Sequence, residues 1–215
     1  MKLFTKKRVV LLALFILPLV FFLFLSTGIN NFSKLPVITS NIQVPNEGLK
    51  ELLKNKATVL VFFGKDPIKY KSGFFNVNEK LYKKFYDHKF YQTVAVAPKN
   101  SNYKELLKKL GAYTDISKWN VVELDSIEVI NFHKNLNSGD VLNENLYVDK
   151  AYILDKQNRL RGRKEDEEVP NGLVTSYNIN SVSELKNKMQ DDIEVLLYEY
   201  RAAFKNKNKA ERINN

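Results

Sequence analysis

Two continuous apolar runs rich in β-branched and aromatic residues, 58–63 (TVLVFF) and 91–97 (YQTVAVA), constrain this chain more than any other feature. Strands that read as unbroken hydrophobic runs are buried on both faces, as in a sheet carrying helices on each side. The segments between them supply the helices. Residues 47–56 place Leu49, Leu52 and Leu53 on one face, and 76–85 place Val77, Leu81 and Phe85 four apart behind an Asn76/Glu79 capping-box pattern. Residues 103–110 repeat the helical spacing with Tyr103, Leu106, Leu107 and Leu110, and Gly111 ends them. A third strand is expected at 120–124, followed by a helix through about residue 136 capped by Asp125 and Glu128.

The second half reads differently. After a looser stretch, 137–145, residues 150–155, the turn 156–158 and residues 159–163 form a hairpin. A long loop, 164–180, leads to Ser181 and Glu184, a third capping pattern. Behind it Val182, Leu185, Met189, Ile193, Leu196, Tyr200 and Ala203 draw one apolar stripe along the longest helix. The order β-α-β-α-β-α-β-β-α predicts an α/β domain with right-handed crossovers. The closing hairpin and helix point to a thioredoxin-like sheet. A flavodoxin-like sheet is the alternative, but residues 155–159 leave no room for a crossover helix between the last two strands.

Ahead of this domain, Lys2, Lys6, Lys7 and Arg8 precede an apolar run at 9–25 without charge or amide. As a helix that run spans roughly 26 Å, slightly short of a hydrocarbon core, and 26–29 can add a turn. Pro18 within it is tolerable in a membrane helix. The cations should stay cytoplasmic. The competing reading is a cleaved secretory signal with Ser26 and Gly28 at the cleavage site, shorter in its apolar region than this run. The expected organisation is a basic segment 1–8, an anchor 9–28, a tether 29–46 with a first strand near 35–38, a domain 47–204 and a basic tail 205–215. The chain is thereby expected in a plasma (inner) membrane, single-pass, with its domain extracytoplasmic.

The net charge of +10 sits mainly in the first eight and last fifteen residues. The near-neutral body has no nucleic-acid footprint. With no cysteine, thiol redox chemistry and thiolate metal sites are excluded. The scattered glycines form no phosphate loop, and no serine stands on a G-x-S-x-G turn.

Residues 149–162 (DKAYILDKQNRLRG) resemble the hairpin of the SCO/SenC family, membrane-anchored thioredoxin-fold copper proteins serving cytochrome c oxidase assembly. In the same order, 59–63 is similar to the strand before that family's C-P-x-x-C site, and 94–98 (VAVAP) to its V-x-V-D-P turn, with Ala97 in place of the acid. Residues 118–122 (KWNVV) resemble its tryptophan-led strand, and 191–197 (DDIEVLL) its terminal helix. The resemblance places Asp66 and Tyr70 at the two cysteines, Pro67 at the proline and Tyr147 at the histidine. None of the copper ligands is present, and copper(I) favours soft donors that this chain lacks there. No cofactor is expected.

The resemblance therefore implies a non-catalytic binding or assembly factor, with a protein partner such as a respiratory complex or its assembly factors. The expected recognition loop runs over 64–75 with 146–149, displaying Lys65, Asp66, Lys69, Tyr70, Phe74 and Tyr147. The alternative is an enzyme or metal carrier with an Asp/Tyr/His site built on Asp66, Tyr70 and Tyr147, to which His88 or His133 would have to come.

Overall fold

The computed structural model describes residues 6–26 and 34–213. It divides into two units, 1–33 and 34–215. In the first, helix α1 (Lys6–Ser26) carries Pro18 inside it, and apolar side chains such as Leu14, Phe15 and Phe22 are exposed. Among the described residues no helix is long and apolar enough to cross a membrane. The expected span 9–28 extends past Ser26, and its last two residues lie outside the described ones, as do Lys2, the start of the tether and the end of the basic tail.

In the second unit the strands are β1 (Val37–Thr39), β2 (Ala57–Phe63), β3 (Tyr91–Pro98), β4 (Trp119–Leu124), β5 (Tyr147–Leu154), β6 (Leu160–Arg161) and β7 (Tyr177–Asn178). They form one sheet in the order β1-β6-β5-β2-β3-β4, with β7 also on β5. Strands β2, β3 and β4 are mutually parallel, while β5 is antiparallel to β2 and β6 to β5. Two parallel strands, a returning antiparallel hairpin and a long closing helix define a thioredoxin-like sheet. Strand β4 extends it beyond β3, and β1 extends it beyond β6. The antiparallel β5 excludes the flavodoxin-like alternative.

The two-residue period of β2 divides the core. Val59, Val61 and Phe63 join one cluster and Leu60 and Phe62 the other. The first cluster is covered by the helix Lys71–Val77, which continues as a π turn (Asn78–Tyr82) into Lys83–Phe85, and by the last helix. That last helix starts at Val182–Glu184, passes a π turn (Leu185–Met189) and runs on as Gln190–Ile213. The second cluster is covered by α2 (Glu47–Leu53) and the helix Ser126–Asn135. The remaining helix, Tyr103–Gly111, inserts Leu106 and Leu110 into the first cluster.

Three expectations are corrected. Asn76 caps nothing, because Pro67 starts a 3-10 turn at Pro67–Tyr70 and helix follows from Lys71. The Asn76 amide donates to the Ile179 carbonyl instead, at 3.0 Å. The tether ends earlier than 46, since Leu35 and Ile42 are buried and β1 pairs with β6. Both backbone groups of Leu35 are clamped: its N–H donates to Glu199 at 2.7 Å, and its carbonyl accepts from Arg161 Nε at 2.8 Å. At Ser181 half a capping box forms. Its hydroxyl accepts from the Glu184 N–H, but the Glu184 carboxylate accepts from Asn178. The Asp125/Glu128 box is complete.

The hairpin is organised by Asp155. Burial alone would raise its pKa, yet hydrogen bonds from Arg159, from the Gln157 and Arg159 N–H groups and from Arg161 hold it below the ordinary range. Arg161, 4% exposed, lies between Asp155 and Glu199, at 2.9 Å and 2.8 Å.

Candidate functional site

At the end of β2 the chain turns through Gly64, whose φ of +71° suits glycine. A Cβ there would lie 2.7 Å from the Asn145 carbonyl oxygen and 2.8 Å from Tyr147 Cβ, so the close approach also requires glycine. That approach lets the Lys65 N–H donate to the Asn145 carbonyl at 2.8 Å. The Gly64 carbonyl accepts from the Ser101 hydroxyl at 2.8 Å, and the Lys65 carbonyl from the Asn102 N–H. Three connections, after β2, after β3 and before β5, are thus tied at one end of the sheet.

The 3-10 turn aims Tyr70 back over β5. Its ring stacks on Tyr147 with centroids 3.6 Å apart and planes within 4°. The Tyr70 hydroxyl accepts from the side-chain amides of Asn143 at 3.2 Å and Asn145 at 3.4 Å. Asn143 Oδ1 in turn accepts from the Asn145 and Tyr147 N–H groups. Leu146, between them, takes a φ of +58°, uncommon for a bulky residue and sustained by a hydrogen bond from its N–H to the Asn143 carbonyl. Beneath the stack, Phe74 meets Tyr147 edge-on at 6.0 Å and Phe63 at 4.7 Å, and Phe63 stacks on Trp119.

The sequence placed six residues here, and they separate into two groups. Lys65 and Lys69 are exposed, with Asp66 and Tyr70 half-buried at the same surface. Phe74 is 0% and Tyr147 6% exposed, so neither is a contact residue. They are the packed base on which Tyr70 rests. The Asp66–Lys69 pair, at 3.3 Å and largely in water, contributes little to stability.

The Asp/Tyr/His alternative loses its histidine. His133 packs with Phe62 and Tyr152 in the second cluster, whereas Tyr147 belongs to the first, across the sheet. His88 precedes β3, at the opposite end of the parallel strands from Asp66. Burial, aided by the Asp149 charge, pushes the Tyr147 phenol up to about 12, so it stays protonated at neutral pH. Among the described residues no group of three His, Cys, Asp or Glu could hold a metal ion.

Sequence reading missed the polar chain from buried His133 and Tyr152 to half-buried Asp140 on the opposite face of the sheet. The signal was present: His133 follows Phe132 and sits between Val129 and Leu136 on the apolar side of its helix.

No protein-family profile matches the chain, and no curated protein matches it in sequence. In structure it is similar to a solution structure of a candidate protein disulfide isomerase from Bacteroides thetaiotaomicron. The TM-score is 0.46 at 10% identity, over 80% of this chain and 98% of that one. At such distance the assignment of class rests on strand order, direction and the closing helix. By those criteria this is a thioredoxin-like domain without a cysteine.

Proposed function

We propose that the protein is a membrane-anchored, extracytoplasmic binding module that recognises a protein partner through the surface around Tyr70 and performs no catalysis. One observation carries the reading. The sheet end where SCO/SenC proteins hold copper is filled here by a rigid stack that presents Tyr70 among Lys65, Asp66 and Lys69. The two positions that the resemblance assigns to a cysteine and the histidine, Tyr70 and Tyr147, are in ring contact, which supports the alignment. A surface loop carried by a rigid sheet is a favourable place for recognition, and tyrosine is enriched at interface hot spots. The lysines suit an acidic rim on the partner. A role in assembling a respiratory oxidase follows from the SCO/SenC resemblance.

Anchoring is supported by the uninterrupted apolar run at 9–25, its basic flank and the exposure of its described side chains. The test combines topology with capture. Protease added outside an intact inner membrane is expected to remove the domain, and the protein purified from solubilised membranes is expected to bring its partner with it. Tyr70→Ala should weaken that association by about 2 kcal/mol while leaving the fold in place. A domain cleaved only after lysis overturns the orientation. Association abolished only by deleting residues 205–215 moves the contact to the tail.

A further inference from the structure

The sheet end that carries Tyr70 is unevenly charged. Residues 64–75 hold Lys65, Lys69 and Lys71 against Asp66, and residues 102–113 hold Lys104, Lys108 and Lys109 against Glu105. Together these are six cations and two acids, whereas the rest of residues 9–200 has 19 cations and 21 acids. The two segments are joined in space. The Asn102 N–H donates to the Lys65 carbonyl, the helix Tyr103–Gly111 packs on the 3-10 turn, and the Lys71 charge acts on the Glu105 carboxylate.

Both acids are already engaged. Asp66 pairs with Lys69 at 3.3 Å, and Glu105 with Lys109 at 2.9 Å while accepting from the Asn102 amide at 3.0 Å. Lys65, Lys71, Lys104 and Lys108 are exposed, and their ammonium groups have neither ion pair nor hydrogen bond among the described residues. This arrangement works against the helix at two points. Lys104 and Lys108 stand four apart, a repulsive spacing, and Lys104 puts a cation in the first turn, where the helix dipole disfavours one. A bound anion would relieve both.

The patch also offers an aromatic ring. Tyr113, just past the helix, is 71% exposed, and half-buried Phe75 meets it edge-on at 5.9 Å. Through Phe75 the tyrosine rests on the first core cluster. Asp66 and Glu105 lie among the lysines, so a uniformly anionic bilayer laid on this face would be repelled at two points. A chain of discrete carboxylates can meet the lysines alone.

We propose that the surface around Tyr70 continues over the helix Tyr103–Gly111 to Tyr113 and takes an acidic protein segment. Its carboxylates meet Lys65, Lys71, Lys104 and Lys108, while an apolar side chain rests on Tyr113. The continuation rests on the role proposed for Tyr70, whereas the basic face is measured apart from it.

The probe is a fluorescent peptide of about ten glutamates around one tryptophan, titrated at low salt against the full chain in phosphatidylcholine nanodiscs. Lys71→Gln, Lys104→Gln and Lys108→Gln combined are expected to weaken binding about tenfold. Lys89→Gln, Lys134→Gln and Lys186→Gln make the same charge change at exposed lysines elsewhere on the domain and should cost less than about twofold. Tyr113→Ser should weaken binding of this peptide about fivefold and leave a version with serine in place of tryptophan unchanged. Equal losses in the two triple variants overturn the proposal, as does a Tyr113→Ser loss that ignores the tryptophan. So does lysine-dependent capture of vesicles with about 30% phosphatidylglycerol that is tighter than capture of the peptide, which would assign the face to lipid. Tyr70→Ala separates this proposal from the one it extends. A loss with Tyr70→Ala alone refutes the basic face and leaves Tyr70, and a loss with the first lysine variant alone refutes Tyr70 and leaves the basic face.

Discussion

Replacing Phe74 by alanine is expected to cost about 3–5 kcal/mol of folding stability, the range for emptying a fully buried phenylalanine site. The ring has no exposed surface and touches Phe63 below and Tyr147 above, so its loss opens a cavity under the Tyr70–Tyr147 stack. Neighbouring aromatic rings are large and held by the sheet, which limits how far the site can collapse. Tyr70→Ala, at the half-buried top of the same column, should cost far less stability. Denaturant midpoints at unchanged slope give both numbers. A Phe74→Ala protein as stable as the wild type would mean that this column is not packed as described.

The other large effect is expected at Arg161. Its guanidinium neutralises Asp155, which is 1% exposed, and Glu199 while donating to the Leu35 carbonyl. Removing one partner of a buried ion network costs up to about 3–5 kcal/mol, and here Asp155 would keep only Arg159 and the turn N–H groups, and Glu199 only the Leu35 N–H. Arg161→Ala should therefore lower the melting temperature steeply and free β1, which would appear as new protease cleavage around residues 34–42. Glu199 still accepts from the Leu35 N–H, so Glu199→Gln should be milder. A loss below about 1 kcal/mol for Arg161→Ala would show that water, and not this network, solvates the two carboxylates.

The course of the chain was legible where the physics is local. Runs such as TVLVFF can only be buried strands, and Asp125 with Glu128 writes a helix start into four residues. The hairpin was readable because its turn chemistry is contained within 155–159. Asn76 misled because its amide serves a contact more than a hundred residues away, and no local pattern reports that. The site was half legible for the same reason. Lys65, Asp66, Lys69 and Tyr70 follow β2 directly, and a loop after a parallel strand is at the sheet end by construction. Whether Phe74 and Tyr147 face solvent or each other depends on the helix that begins at Lys71 and on the positive φ of Leu146. Arg161 is buried although nothing within the hairpin arm 159–163 marks it so. Its partner Glu199 lies 38 residues further on, in the last helix.

Site-directed photocross-linking tests the central claim most directly. A photoreactive residue at Lys69, exposed beside Tyr70, and another at Lys186, on the last helix, are introduced into the full chain and irradiated in native membranes. A discrete partner band from position 69, absent from position 186 and lost when Tyr70→Ala is added, is the predicted result. Adducts of equal yield from both positions, or a band from 69 that survives Tyr70→Ala, would contradict a recognition surface centred on Tyr70.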